Sequence, residues 1–143
     1  MEKIELARLF YEKMWNNADF ELVENIIDPE YHPSDVSMPE KGPALLKKEI
    51  KYFRSIFPDL QYQVVDFSEK DNKIWIRYKG TGTHKGKGWG FEPNGKKIEF
   101  EASSILTIQD NKIVDAWRNY CLFDIFSRLG HIPAFWEIAE KLN

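Results

Sequence analysis

Phe57-Pro58-Asp59-Leu60-Gln61-Tyr62-Gln63-Val64-Val65 is the stretch at which the apolar period of the chain changes. Before Pro58, apolar residues recur at helical spacing, whereas after it the period shortens and β-branched and aromatic residues become common, as they are in strands. Pro58 stops the helix that leads into it. Helices segregated from a later run of strands imply an α+β fold: a cone-shaped, curved antiparallel sheet with three N-terminal helices packed over its concave face and a C-terminal helix.

Working outward from this junction, the third helix begins at Pro43 and carries Leu45, Leu46, Ile50, Phe53 and Ile56. Residues 2–16 form the first helix through Ile4, Leu6, Ala7, Leu9, Phe10, Met14 and Trp15, and Asp19 caps a short second one that Pro29 ends. The proline-rich stretch from Asp28 to Pro43 reads as an ordered loop bearing His32. Downstream, strands are expected near 60–68, 72–84, 96–109 and 112–121, with turns at Lys70-Asp71-Asn72 and Asp110-Asn111. Gly86 to Gly95 is too rich in glycine for a strand and connects the second and third. Leu122–Leu129 returns to helical spacing with Gly130 as its cap, and Ile132–Leu142 forms an amphipathic tail or helix. Residues 1–143 read as one domain.

Composition narrows the function. The chain is 43% hydrophobic and 15% aromatic, enough to bury a core and line a pocket, and 20 basic against 23 acidic residues give a net charge of -3. No basic block is available to neutralise phosphates, so nucleic acid is not an expected partner. The single cysteine, Cys121, excludes an intramolecular disulfide and any multi-cysteine metal site, and neither a paired-histidine motif nor HExxH is present. No metal and no cofactor are expected. No apolar run approaches the roughly 20 residues that span a bilayer, and Met1-Glu2-Lys3-Ile4-Glu5-Leu6 does not read as a signal peptide, so a cytoplasmic location is expected.

Strand parity supplies the candidate site. On the fourth strand Ile113, Asp115, Trp117, Asn119 and Cys121 share one face, and Val114, Ala116, Arg118 and Tyr120 share the other. The acid, indole, amide and thiol of the first set suit a pocket lining. On the third strand the buried set is Ile98, Phe100, Ala102, Ser104, Leu106 and Ile108; Ser104 either points into a cavity or is satisfied by backbone. His32 and His84 are the histidines expected at the pocket, while His131 reads as a surface residue after Gly130. Trp15, Trp89 and Phe91 complete the expected lining. The glycines and lysines of Gly80–Gly90 do not make a phosphate loop, because no helix N-terminus follows them.

Three helices with a histidine in the loop between the last two, Phe57-Pro58-Asp59-Leu60, Gly82-Thr83-His84, Asp110-Asn111-Lys112-Ile113-Val114-Asp115-Ala116-Trp117 and the closing Arg128-Leu129-Gly130 resemble the SnoaL-like polyketide cyclases. This family belongs to the nuclear-transport-factor-two-like cones, with ketosteroid isomerases and limonene epoxide hydrolases. The resemblance implies cofactor-free chemistry in which a carboxylate in an apolar pocket removes a proton α to a carbonyl and an intramolecular aldol step closes a ring. Aligned on Trp117 and Leu129-Gly130, the family's acid/base aspartate falls on Cys121, and a thiol lacks a carboxylate's two acceptor oxygens. Asp115 or Asp124 is then the expected replacement, with His32 or His84 polarising the carbonyl. The alternative is a non-catalytic carrier of a small hydrophobic molecule. A homodimer is expected through the outer sheet face, where Trp75, Arg77, Lys79, Thr81 and Thr83 alternate with Ile74, Ile76 and Tyr78 and leave an amphipathic face that another sheet could cover.

Overall fold

The computed structural model describes residues 1–142. Helix α1 (Lys3–Leu9) runs on into a π-helical segment, Phe10–Trp15, followed by α2 (Phe20–Ile26), α3 (Gly42–Ile56), strands β1 (Gln61–Lys70), β2 (Lys73–Thr83), β3 (Lys97–Gln109) and β4 (Lys112–Asn119), and helices α4 (Leu122–Arg128) and α5 (Phe135–Leu142). The strands form one antiparallel sheet in the order β1-β2-β3-β4. The hairpin at Asp110-Asn111 has positive φ at both residues, the geometry that matches strand twist. The predicted elements are present; the π segment inside the first helix is an addition to them. Its wider turn buries Phe10, Tyr11, Met14 and Trp15 together against the sheet.

Curvature follows from side chains the sheet lacks and residues it has in excess. At Gly80 a Cβ would stand 2.5 Å from the ring of Phe100, and at Gly82 one would stand 2.9 Å from Phe57, so both rings lie directly on the β2 backbone. Register shifts between Val64 and Asp66 on β1 and between Thr107 and Ile108, opposite Ile113 and Asp115 on β4, each leave one residue unpaired. Such bulges bend and twist the strand that carries them.

The bulge at Val114 also changes which residues share a face. Ile113 is buried, and after the extra residue the buried side passes to Ala116, Arg118 and Tyr120, whereas Asp115, Trp117 and Asn119 are exposed. Simple alternation, which grouped Ile113 with Asp115, Trp117, Asn119 and Cys121, is therefore corrected. On β3, with no bulge before Thr107, the expected alternation from Ile98 to Ile108 is observed.

Two polar clamps fix the helices to the sheet. Asn16 donates to the Tyr62 carbonyl at 2.8 Å and accepts from the Tyr62 amide at 2.6 Å, so a buried side chain takes the place of a strand neighbour along β1. Arg54 donates to the carbonyls of Trp15, Leu60 and Pro58, tying the end of α3 to the first helix and the turn before β1.

Removing a buried group's partner costs on the order of 1–3 kcal/mol for each group left unpaired. Asn16→Ala is expected to lower thermal stability by roughly 5–10 °C, and Asn16→Asp, which keeps the acceptor but sets a buried carboxylate oxygen against the Tyr62 carbonyl, by at least as much. Calorimetry checks the order; equal melting of wild type and Asn16→Ala would remove the clamp from this account.

Candidate functional site

Under the loop between α2 and α3 lies an open cavity of about 470 Å³ whose lining includes Asp35, Met38, Glu49, Tyr52, Phe53, Trp89, Arg118 and Tyr120. The guanidinium of Arg118, 6% exposed at its side chain, donates Nη1–H to Glu49 Oε2 at 2.8 Å and Nη2–H to Asp35 Oδ1 at 3.0 Å. Glu49 is itself only 8% exposed, and its second oxygen, Oε1, is buried with no partner. The site thus holds one fixed cation, a partly open carboxylate, and a buried carboxylate with a free oxygen.

The energetics separate the two carboxylates. Burial raises the pKa of Glu49, and Arg118 opposes this without cancelling it. Burial likewise works against the charge of Arg118, but the groups around it, Glu49 and Asp35 included, outweigh that cost and hold the guanidinium charged. Burial pushes Tyr31 well up and raises Tyr120, so both hydroxyls are neutral at pH 7. One guanidinium cannot fully compensate two carboxylates, and burial leaves the Glu49 pKa raised despite Arg118.

Aromatic rings form the rest of the wall. Phe53 meets Trp89 edge-on at 5.6 Å and Tyr120 at 6.0 Å. Trp89 is backed by Phe126 of α4 at 5.2 Å, Phe126 by Phe91, and Phe91 lies flat on His131 with ring centres 4.2 Å apart. On the inner side Tyr11 stacks on Tyr78 and donates its hydroxyl to Ser104 at 2.7 Å. Burial pushes the Tyr11 hydroxyl up to about 12.

Of the residues singled out in the sequence, Trp89 lines this cavity and Trp15 lines a smaller chamber continuous with its inner wall. Ser104 stands behind Tyr11, and Phe91 stands behind Phe126. His32 binds the carbonyl of Met38, 2.8 Å away, and so braces the loop that roofs the cavity. His84 is fully buried outside it, with Nδ1 3.1 Å from Nε2 of His131, which corrects the reading of His131 as a surface residue. Asp115, Trp117 and Asn119 lie on the outer face because of the bulge, and Cys121 is exposed at the start of α4, not buried. Asp124 sits within the first turn of α4 and pairs with Arg128 at 2.8 Å. The structure brings none of these four polar or aromatic outer residues, nor Asp124, to the cavity. Among the described residues no group of three or more His, Cys, Asp or Glu is placed to hold a metal ion, and no helix is long and apolar enough to cross a membrane.

Glu49 and Arg118 were passed over in the sequence, yet a signal for Glu49 exists. It falls in the apolar stripe of α3, beside Leu45, Leu46, Ile50 and Phe53, where an acid is out of pattern. Arg118 carries no such mark until the bulge is known.

Residues 5–126 match the profile of a family described as SnoaL-like polyketide cyclase. No curated protein matches the chain. Among solved structures, TsrD from Streptomyces laurentii superposes with a TM-score of 0.83 at 20% identity, covering 92% of this chain and 99% of that one. AclR from Streptomyces galilaeus, a candidate hydroxylase, gives 0.75 at 25% identity over 99% and 93% of the two chains. A candidate polyketide cyclase from Bacillus cereus gives 0.76 at 27% identity over 90% and 80%.

The His84–His131 contact makes stability depend on pH. Burial, and to a lesser extent His131, push His84 below its ordinary 6.5. Below that value the unfolded chain binds the proton more readily than the folded one, so stability is complete above the unfolded pKa and is lost as pH falls through the depressed folded value. Melting temperature should therefore drop more for wild type than for His84→Asn between about pH 7 and about pH 5; parallel curves would remove His84 as the cause.

Proposed function

The chain belongs to the SnoaL-like polyketide cyclase family, and from that premise we propose that it performs cofactor-independent acid–base chemistry of the intramolecular aldol type on a hydrophobic carbonyl compound, with Glu49 as the base. The observation that carries this reading is Glu49 itself, a buried carboxylate in the lining of an aromatic cavity, with one oxygen held by a guanidinium and the other without a partner. A carboxylate raised by desolvation is a stronger base than the same group in water, and its other oxygen is locked by Arg118, which fixes its aim.

The proposed sequence uses only these groups. Glu49 Oε1 removes a proton from carbon α to a carbonyl, and the charge that develops on the carbonyl oxygen is stabilised by the nearby guanidinium of Arg118. The α-carbon then attacks a second carbonyl of the same molecule, forming the ring bond, and Glu49 returns its proton to the new alkoxide. Atoms balance with no oxidant or co-reactant. Phe53, Trp89 and Tyr120 supply the flat walls that hold a planar substrate folded on itself. In this assignment the carboxylate that the family resemblance placed at position 121 is provided by α3.

Glu49→Gln is expected to lower the rate of α-proton exchange in an aryl β-keto ester, followed by NMR in deuterated buffer, by about 10²–10⁴-fold with binding retained. A wild type that binds the ester without accelerating exchange would favour the second reading, a carrier of small hydrophobic molecules, for which the exposed Cys121 at the family's acid position is the supporting observation.

We also propose that the chain acts as one domain over residues 1–143, as a homodimer, in the cytoplasm. The sheet and the first four helices share one hydrophobic core, and the free, exposed thiol of Cys121 fits a reducing compartment. On the outer face Trp75 pairs with Ile105 and Ile105 with Trp117, giving an apolar row whose indoles are 39% and 52% exposed. A second sheet laid across that row would cover it. Trp117→Glu should convert a dimer to a monomer in sedimentation at micromolar concentration, and a wild type that sediments only as a monomer would overturn the dimer.

A further inference from the structure

Next to Arg118 lies a chamber of about 20 Å³, walled by Tyr11, Trp15, Tyr62 and Tyr78 and sharing Phe53, Arg118 and Tyr120 with the outer cavity. That volume suits one group the size of a water molecule. Two of its lining residues bring buried donors that have no acceptor: the indole Nε1–H of Trp15 and the Nε–H of Arg118. Neither atom can do anything except donate. Trp15 is 4% exposed, and its ring is held edge-on by Phe53 at 5.7 Å and by Tyr62 at 5.6 Å, so the indole has little freedom to turn toward a partner elsewhere. The Tyr11 hydroxyl already donates to Ser104.

Buried donors left without partners are uncommon in folded proteins, and two on residues that line one small chamber call for an acceptor from outside the chain. An apolar group would leave both N–H groups unpaired, a cation would meet Arg118, and a carboxylate is too large for the space. A single small oxygen acceptor, a water or the end of a carbonyl, satisfies the constraints, and of the two only the carbonyl belongs to a hydrophobic ligand reaching in from the outer cavity. We propose that this chamber is a subsite for a single ketone or enolate oxygen of the substrate, with Trp15 as a specificity-determining donor and Arg118 as the second. The inference rests on the reading of the outer cavity as a carbonyl site and adds which atom enters the chamber.

The test uses two bicyclic probes of nearly equal shape, 1-tetralone and tetralin, which differ by the ketone oxygen. Wild type is expected to bind the ketone about 3–10-fold more tightly, the worth of one neutral hydrogen bond in a desolvated site, and Trp15→Phe is expected to narrow that ratio by threefold or more. In the wild type, the indole N–H resonance that is missing from Trp15→Phe should move downfield with 1-tetralone and stay in place with tetralin. A ratio unchanged by Trp15→Phe, or an indole resonance that responds equally to both probes, overturns the subsite. If Trp15→Phe fails to fold, the response of the wild-type indole resonances to the two probes decides alone. Ketone preference without Glu49-dependent exchange keeps the subsite and rejects the catalytic reading, whereas exchange without ketone preference rejects the subsite alone.

Discussion

A guanidinium that is 6% exposed cannot stay charged inside a protein unless carboxylates come to it, and much of this site is built to satisfy Arg118. The penalty for burying an ion is several kcal/mol, so the geometry around it is tightly specified. Glu49 must face inward from α3, which sets the rotation of that helix. Asp35 must reach down from the loop between α2 and α3, and that loop is held in place by His32 on the Met38 carbonyl. Arg118 itself must point to the concave side, and it does so because Val114 adds one residue to β4. Helix, loop and strand are thereby locked to one another by a charge at the boundary between core and cavity.

The fold was legible because it rests on features with a local cause. Pro58 separates two periods, Asp19 caps α2, Asp110-Asn111 makes the tight turn, and the glycines of β2 admit Phe57 and Phe100 onto the sheet. The site was less legible because it depends on a count. One unpaired residue at Val114 moves every later side chain of β4 to the other face, so alternation assigned Asp115, Trp117, Asn119 and Cys121 to the pocket and Arg118 and Tyr120 to the outside. Nothing in Lys112-Ile113-Val114-Asp115-Ala116 announces a bulge. The His84–His131 contact was out of reach for a related reason: it joins residues 47 positions apart and depends on how the segment after α4 folds back.

The position of the carboxylate is the main departure from what the family resemblance implies. At the start of α4, position 121 is exposed in this chain and carries a thiol, while Glu49 reaches the cavity from α3. A carboxylate at the end of a strand and one on a facing helix can approach the same ligand from opposite sides of a cone. The fold fixes the cavity and leaves open which wall supplies the base. An acid on α3 has one advantage, since its neighbours Leu45, Leu46 and Ile50 are fully buried and keep water from its back.

The same arrangement bears on how Glu49, as the proposed base, works beside a permanent cation. An adjacent guanidinium alone would hold a carboxylate strongly ionised and make it a poor proton acceptor. Here desolvation is the larger influence on Glu49 and Arg118 the smaller, while Asp35, the more open of the two acids, supplies a second negative charge to the same guanidinium. Because Arg118 is shared, neither acid receives its full field, and Glu49 keeps an affinity for protons that a private ion pair would remove. When Glu49 takes a proton, the remaining Arg118–Asp35 pair is neutral, and in the proposed reaction the guanidinium's attraction turns to the oxygen on which charge develops. In the proposed reaction, proton acceptance by the acid and stabilisation of the enolate by the cation are thus two consequences of one redistribution of charge around Arg118.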